Sequence, residues 1–86
     1  MDKYYLTKER FEELKAELEM LKGPKRLEIA DALKRAKEYG DLSENAEYAQ
    51  AREEQNRVET RIFELLFFLL VYLFRFFRDI NALGLH

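Results

Sequence analysis

The chain has 86 residues, enough for one small domain, and a formal net charge of −2 at pH 7. It contains no cysteine, three glycines and a single histidine, His86, at the C-terminus. These counts exclude disulfides, thiolate metal sites and cysteine nucleophiles, and they argue against histidine-based catalysis and glycine-rich phosphate-binding loops. The charge balance argues against a protein that binds nucleic acid by bulk electrostatics.

Charge is unevenly distributed along the chain. After Glu64 the only charged residues are Arg75, Arg78 and Asp79, although this last part holds half of the aromatic side chains. We therefore treat residues 1–64 as a charged segment and residues 65–86 as an apolar continuation with a different kind of surface.

The first helix is predicted to begin after Thr7, a suitable N-cap, with Glu9 in its first turn. Its apolar residues follow a heptad spacing that is interrupted at Gly23-Pro24 and then resumes. They are Phe11, Leu14, Leu18, Leu21, Ile29, Ala32 and Ala36. The interruption is compatible with a kinked but continuing helix, and also with two separate helices.

Gly40 is predicted to end this arm, and a second helix follows almost at once. Its seam alternates steps of three and four residues through Tyr48, Ala51, Gln55, Val58, Ile62, Leu65, Leu69, Tyr72 and Phe76. Two long seams joined by a short turn predict an all-α fold, a long antiparallel two-helix hairpin with its tip at residues 40–45. Residues whose numbers add up to about 82 should then lie side by side in a rod about 50 Å long.

The tip carries two acidic residues, Asp41 and Glu44, which have two interpretations. Their spacing is that of a capping box at a helix start, where Ser43 is an equally suitable cap. Alternatively, two carboxylates raised on a rod could bind a hard divalent cation. Two carboxylates make a poor cage, so the remaining ligands would then have to come from a partner.

The tip sequence resembles a known family. The run from Arg35 to Tyr48, which contains GDLSENAEY, and the following AREEQ at 51–55 are similar to the hairpin tip of the bacterial GreA/GreB transcript cleavage factors. The opening Tyr5-Leu6-Thr7 is also similar to the start of that family. The resemblance extends over about residues 3–64.

The resemblance implies a function for the tip. In the family, the hairpin enters the secondary channel of a backtracked bacterial RNA polymerase. The residues matching Asp41 and Glu44 help the polymerase's own aspartates to hold Mg²⁺, which cleaves the extruded 3′ end of the nascent RNA. By this resemblance the chain is a cytoplasmic elongation factor that activates the polymerase, and it is not an enzyme by itself.

The family's hairpin also has a basic patch that contacts the extruded RNA. The matching candidates are Lys34, Arg35, Lys37 and Arg52, with Lys25, Arg26 and Arg57 further from the tip. An ordinary solvated surface of mixed charge is the competing interpretation. Tyr39 and Tyr48, which flank the tip, are candidates either for stacking on bases or for packing between the arms.

The apolar tail departs from the family, and the family's C-terminal docking domain is missing from this sequence. The first helix is expected to cover Leu65, Leu69, Tyr72 and Phe76. It cannot also cover a second set of residues on the other sides of the helix, which must be buried by something else. These are Phe67, Phe68, Leu70, Val71, Leu73, Phe74 and Phe77.

Three explanations of the tail remain open. The uncharged run from Leu65 to Phe74 is too short to span a membrane, so membrane insertion is disfavoured. Self-association would form a homo-oligomer through residues 65–77. A truncated or frame-shifted gene would produce the same abrupt change in composition. The alternative function is accordingly a non-catalytic hairpin that oligomerises, or that competes for the polymerase channel.

Overall fold

A computed structural model describes residues 6–84 of the chain, and Tyr5 and His86 lie outside that range. It contains helices α1 (Lys8–Met20), α2 (Arg26–Lys37) and α3 (Ala46–Ala82), and residues 6–84 include no strand. A π-helical turn, Leu21–Lys25, joins α1 to α2, and a 3₁₀ turn, Leu42–Glu44, precedes α3. The predicted all-α hairpin is confirmed.

The first arm is one continuous helix that accommodates a proline. The hydroxyl of Thr7 accepts a hydrogen bond of 3.0 Å from the backbone N–H of Arg10, which confirms the predicted N-cap. At the Gly23-Pro24 interruption the backbone stays in the right-handed helical region, and the N–H of Arg26 donates to the carbonyl of Leu21. Because the π turn accommodates an extra residue, the arm continues past Pro24 with its apolar seam still facing α3.

The apolar seams of the two arms meet to form the core. From the first arm the buried residues are Leu14, Leu18, Leu21, Ile29 and Ala36, and from α3 they are Ala51, Val58, Ile62, Leu65 and Leu69. All ten belong to the seams predicted from the sequence. Leu65 is fully buried, at 0% exposure, and lies in the half of the hairpin away from the tip.

The register of the hairpin agrees with the prediction to within a few residues. Near the base, the rings of Phe11 and Tyr72 stack with their centroids 4.4 Å apart. Midway along the rod, the guanidinium of Arg61 donates two hydrogen bonds, of 2.7 and 2.9 Å, to the carboxylate of Glu17. The molecule measures 62 × 21 × 19 Å, longer than expected because α3 continues to Ala82.

The prediction that the first helix covers Phe76 is wrong, because this residue is 51% exposed. Helix α1 starts at Lys8 and reaches only to the level of Tyr72, so the last turns of α3 extend past it. Phe68 and Val71 were expected to be uncovered, but both are half-buried. Phe68 borders a hollow with Leu6, Arg10 and Leu14 of the first arm, so it lies on the side of α3 that faces that arm.

The other five tail residues expected to be uncovered are exposed, namely Phe67, Leu70, Leu73, Phe74 and Phe77. The base of α3 therefore carries a large exposed apolar surface. Within residues 6–84, no helix combines the length and the apolar character needed to cross a membrane.

Candidate functional site at the hairpin tip

The tip is a tight reversal between α2 and α3. The backbone N–H groups of Glu38, Tyr39 and Gly40 close the end of α2 by bonding to carbonyls three residues earlier. Gly40 then adopts φ +109°, a conformation that a residue with a Cβ atom rarely adopts, and the chain turns towards α3. This glycine sets the direction in which the next residue, Asp41, is presented.

Asp41 caps the 3₁₀ turn with its own carboxylate. Its Oδ1 accepts hydrogen bonds from the backbone N–H of Ser43, at 2.9 Å, and from the Ser43 hydroxyl, at 2.8 Å. These two donors, the backbone N–H first, hold the pKa of Asp41 below its usual value. The side chain is exposed, so an ionised carboxylate with a defined orientation faces solvent at the end of the rod.

The cap of the long second helix is Asn45, and the expectation that Asp41 or Ser43 caps it is wrong. The Oδ1 of Asn45 accepts from the N–H of Tyr48 at 3.0 Å. Its Nδ2 donates to the carbonyl of Ala36 at 2.6 Å, which ties the start of α3 to the end of α2. Asp, Ser and Asn are about equally good caps, so local preference could not rank three candidates within five residues.

The two predicted acidic residues lie together on one side of the tip. Asp41 and Glu44 border a shallow hollow with Tyr39, Asn45, Ala46 and Glu47. Glu47, in the first turn of α3, is a third carboxylate on this hollow that the sequence reasoning did not assign to the site. Residues 6–84 nevertheless contain no group of three or more acidic or histidine side chains arranged to hold a metal ion.

The predicted basic residues nearest the tip are exposed on both arms. Lys34, Arg35 and Lys37 lie in the last turn of α2, are exposed, and make no ion pair with any residue in 6–84. Arg35 borders a second hollow with Tyr39. Arg52 on α3 is also exposed, and its guanidinium donates a hydrogen bond to Gln55.

The basic residues further from the tip are instead paired. Lys25 lies 3.2 Å from Glu54 of α3, and its hydrogen bond to that carboxylate is the main reason that its pKa is raised. Arg26 contacts Glu59 through two hydrogen bonds of 2.7 and 2.9 Å. Arg57 lies 2.7 Å from Glu54. Among the seven predicted cations, these three are therefore held by ion pairs between or along the arms. The four without an ion pair in residues 6–84 are those nearest the tip.

The two tyrosines near the tip have different environments. Tyr39 is 73% exposed, and it borders both tip hollows. Tyr48 is half-buried on the seam of α3. The packing interpretation therefore suits Tyr48, and the exposed ring of Tyr39 is the one available to a ligand.

Comparison with known proteins identifies the family. Residues 4–69 match the family model for the N-terminal domain of the GreA and GreB transcription elongation factors. The chain belongs to this family. Among its relatives, it is 57% identical over 61 residues to transcription elongation factor GreA of Thermosipho africanus, and 55% identical over 62 residues to GreA of Acholeplasma laidlawii. These matches cover 71% and 72% of the chain.

The match is limited to part of each relative. GreA of Clostridioides difficile is 52% identical over 62 residues, and the aligned region is 39% of its length, the same share as in the two relatives above. The chain thus spans about two fifths of the curated relatives it matches. No solved structure matches the chain significantly.

Proposed function

We propose that the chain is a transcription elongation factor-like protein whose hairpin enters the secondary channel of bacterial RNA polymerase and stimulates cleavage of backtracked transcripts. The observation that carries this proposal is the placement of Asp41 and Glu44, two exposed carboxylates at the end of a rod about 20 Å wide. A narrow, stiff rod suits insertion into a channel. Membership of the elongation factor family supports the same partner.

The donor set at the tip fits a shared Mg²⁺ ion and does not form a complete site. Carboxylate oxygens are the ligands that Mg²⁺ prefers, and the hydrogen bonds from Ser43 that lower the pKa of Asp41 stabilise its ionised form. Asp41 and Glu44 would hold the ion jointly with carboxylates of the polymerase. When bound, Mg²⁺ supplies Lewis-acid activation of water and phosphate. The chain would then be an activator of the polymerase's own cleavage activity, without an active site of its own.

The other residues of the tip position these carboxylates. Ser43 occupies Oδ1 of Asp41 and so fixes the plane of the carboxylate, leaving Oδ2 without a partner among the described residues. Asn45 holds the loop against the end of α2. A defined orientation lowers the entropic cost of ligating an ion inside the channel.

The cations near the tip would contact the 3′ end of the nascent RNA. Lys34, Arg35 and Lys37 carry positive charge that is not compensated by an ion pair within residues 6–84, and exposed Arg52 adds a fourth cation. Phosphate contacts of this kind give affinity without reading the sequence. The exposed ring of Tyr39 would stack on a base beside them.

Transcript cleavage by purified, backtracked bacterial RNA polymerase complexes tests the catalytic proposal directly. We expect the full chain to stimulate cleavage, and Asp41→Asn or Glu44→Gln to reduce the stimulated rate by at least about tenfold, since each removes an ionised ligand. Glu53→Gln is the matched control, because Glu53 is an exposed carboxylate on α3 away from the tip. Equal cleavage by Asp41→Asn and the unaltered chain would refute the proposal.

A second function is favoured by the large apolar surface at the base of α3. In this alternative the hairpin does not stimulate cleavage, and it acts as an oligomerising interaction protein or as a competitor for the channel. Adding excess chain to a reaction stimulated by a full-length GreA separates the two functions. Inhibition of that reaction, with no stimulation by the chain alone, would establish the competitor.

A further inference from the structure

Seven exposed side chains on α3 form one continuous apolar face, which we call the open face. Its members lie at Leu70 and at three, four and seven residues on either side of it, the spacing of one side of an α-helix. They are Phe63, Leu66, Phe67, Leu70, Leu73, Phe74 and Phe77. Their exposed fractions range from 39% for Leu73 to 75% for Phe63.

The open face is distinct from the seam that holds the hairpin together. At about 100° per residue, it lies roughly 110° around α3 from the buried side chains of Ile62, Leu65 and Leu69. Because α1 packs on that seam, it does not cover the open face. Along the helix, the open face is bounded by polar residues, Glu59 before Phe63 and Asn81 after Phe77.

The area of the open face is that of a protein interface. With about 200 Å² for a whole phenylalanine side chain and a little less for leucine, the exposed fractions correspond to roughly 750 Å² of apolar surface. The largest patch on an ordinary monomer is about 300–600 Å². A stable two-chain interface buries about 800 Å² on each partner.

We propose that a second copy of this chain covers the open face, with the two α3 helices antiparallel and the two-fold axis at Leu70. The order of residues is nearly the same in both directions from this position. In the antiparallel pair, Phe63 of one copy meets Phe77 of the other, and Leu66 meets Phe74. Leu70 meets itself at the axis. The same surface therefore serves as both partners of an isologous interface.

Charge beside the open face favours the antiparallel orientation. Glu64 and Arg78 lie on the same side of the face, six residues before Leu70 and eight after it. In an antiparallel pair, the two-fold axis places the same side of each helix next to that side of its partner. Glu64 of one copy therefore faces Arg78 of the other. Within residues 6–84 of one chain these groups have only loose pairs, with Arg61 at 3.9 Å from Glu64 and Asp79 at 3.5 Å from Arg78. A parallel pair would not bring the two opposite charges together.

The arrangement leaves both hairpin tips free. Asn45 lies 25 residues before Leu70 on a helix that rises about 1.5 Å per residue, so the two tips would be about 75 Å apart at opposite ends of the dimer. Self-association through the open face consequently does not depend on the proposed function of the tip. Failure of either proposal leaves the other standing.

Sedimentation equilibrium of the purified full chain, over about 1–100 µM, tests the dimer. We expect a reversible monomer–dimer equilibrium. The Leu70→Glu substitution should raise the dissociation constant of the dimer at least about 100-fold, because it places two carboxylates at the axis. Phe74→Glu should act in the same way. Leu27→Glu is the matched control, because Leu27 is an equally exposed leucine on α2, outside the open face. Circular dichroism of each variant establishes that the hairpin is still folded.

Disulfide cross-linking tests the orientation, since the chain has no cysteine of its own. A mixture of the Phe63→Cys and Phe77→Cys chains should cross-link to each other, and neither should cross-link to itself. Self-cross-linking of the Phe63→Cys chain would show a parallel pair and overturn the proposed axis.

Three other results would overturn the proposal. One is a monomer throughout the concentration range, and another is equal weakening of the dimer by Leu27→Glu. The third is a chain that stays monomeric but co-sediments with vesicles of phosphatidylcholine and phosphatidylglycerol. In that case the open face would bind a lipid surface and not a second copy.

Discussion

Replacement of Asn45 by alanine removes two interactions that hold the tip of the hairpin. The hydrogen bond that caps α3, from the N–H of Tyr48 to Oδ1 of Asn45, is lost, at a cost of about 1 kcal/mol for a typical N-cap. The bond from Nδ2 to the carbonyl of Ala36 is lost as well, at a further cost of about 1 kcal/mol. We therefore expect Asn45→Ala to lower the free energy of unfolding by about 2 kcal/mol, equivalent to a fall in Tm of roughly 8–16 °C for a chain of this size.

Urea and thermal unfolding followed by circular dichroism at one fixed protein concentration measure this effect, because self-association would make Tm depend on concentration. Asn56→Ala is the control, since Asn56 is exposed in the middle of α3 and should change stability by less than about 0.5 kcal/mol. Asn45→Asp keeps the cap acceptor but loses the donor to Ala36, so its stability should lie between those of Asn45→Ala and the unaltered chain. If Asn45→Ala were as stable as the Asn56→Ala control, the assignment of Asn45 as the tether of the tip would be wrong.

Three further changes test the charges and the core. Ser43→Ala should raise the pKa of Asp41, measured by carboxyl NMR titration, because it removes the hydroxyl that donates to this carboxylate. The stability that the Ser43 hydrogen bonds give the folded chain is complete above the ordinary aspartate pKa near 3.9. It is lost as the pH falls through the lowered pKa of Asp41 in the folded chain. Leu65→Ala should lower the free energy of unfolding by about 3 kcal/mol in a urea titration, because the side chain is fully buried. A double-mutant cycle between Glu17 and Arg61 should give a coupling energy of about 0.5–1 kcal/mol, since the pair is bidentate but about one third exposed.

Each of these has a matched control or a contradicting result. An Asp41 carboxyl that titrates at or above the ordinary value in the unaltered chain would contradict the Ser43 hydrogen bonds. Leu27→Ala, at an exposed position of α2, should be nearly neutral beside Leu65→Ala. The exposed pair Arg10–Glu13, within one turn of α1, should couple by no more than about 0.5 kcal/mol. A larger value there than for Glu17–Arg61 would show that the bidentate cross-arm geometry contributes nothing.

The architecture could be predicted because its signal is periodic and repeated. Nine positions of α3 and seven of the first arm carry heptad spacing, and ten of them are buried in the core. A short polar turn between two such seams permits little other than an antiparallel pair. The acidic tip was predicted differently. Its residues are contiguous and need no tertiary contact to be recognised, but spacing alone also suited a helix cap, and their prediction as a functional site rested on the resemblance to the family.

The two alternatives at Gly23-Pro24 could not be separated by sequence. Both a kinked helix and two helices are compatible with proline and a shift in the heptad phase. The choice depends on whether Leu21 and Ile29, on either side of the break, can both pack against α3. In the structure both are buried. Packing of the arm against its neighbour therefore settles a question of local backbone geometry.

By itself, the sequence determined the hairpin and its register to within a few residues, because these follow from spacing along the chain. It also determined the family and the acidic tip, because both are carried by a contiguous run of residues that resembles the family. Only the tertiary structure decided which of three good caps starts α3, which cations are paired across the arms, and how far α1 reaches along the base. Those outcomes depend on where groups from distant parts of the chain meet. Because α1 begins at Lys8 and Phe11 lies beside Tyr72, Phe76 is left uncovered. The side of α3 that faces the first arm carries the buried seam, and the open face centred on Leu70 lies on a different side of the same helix.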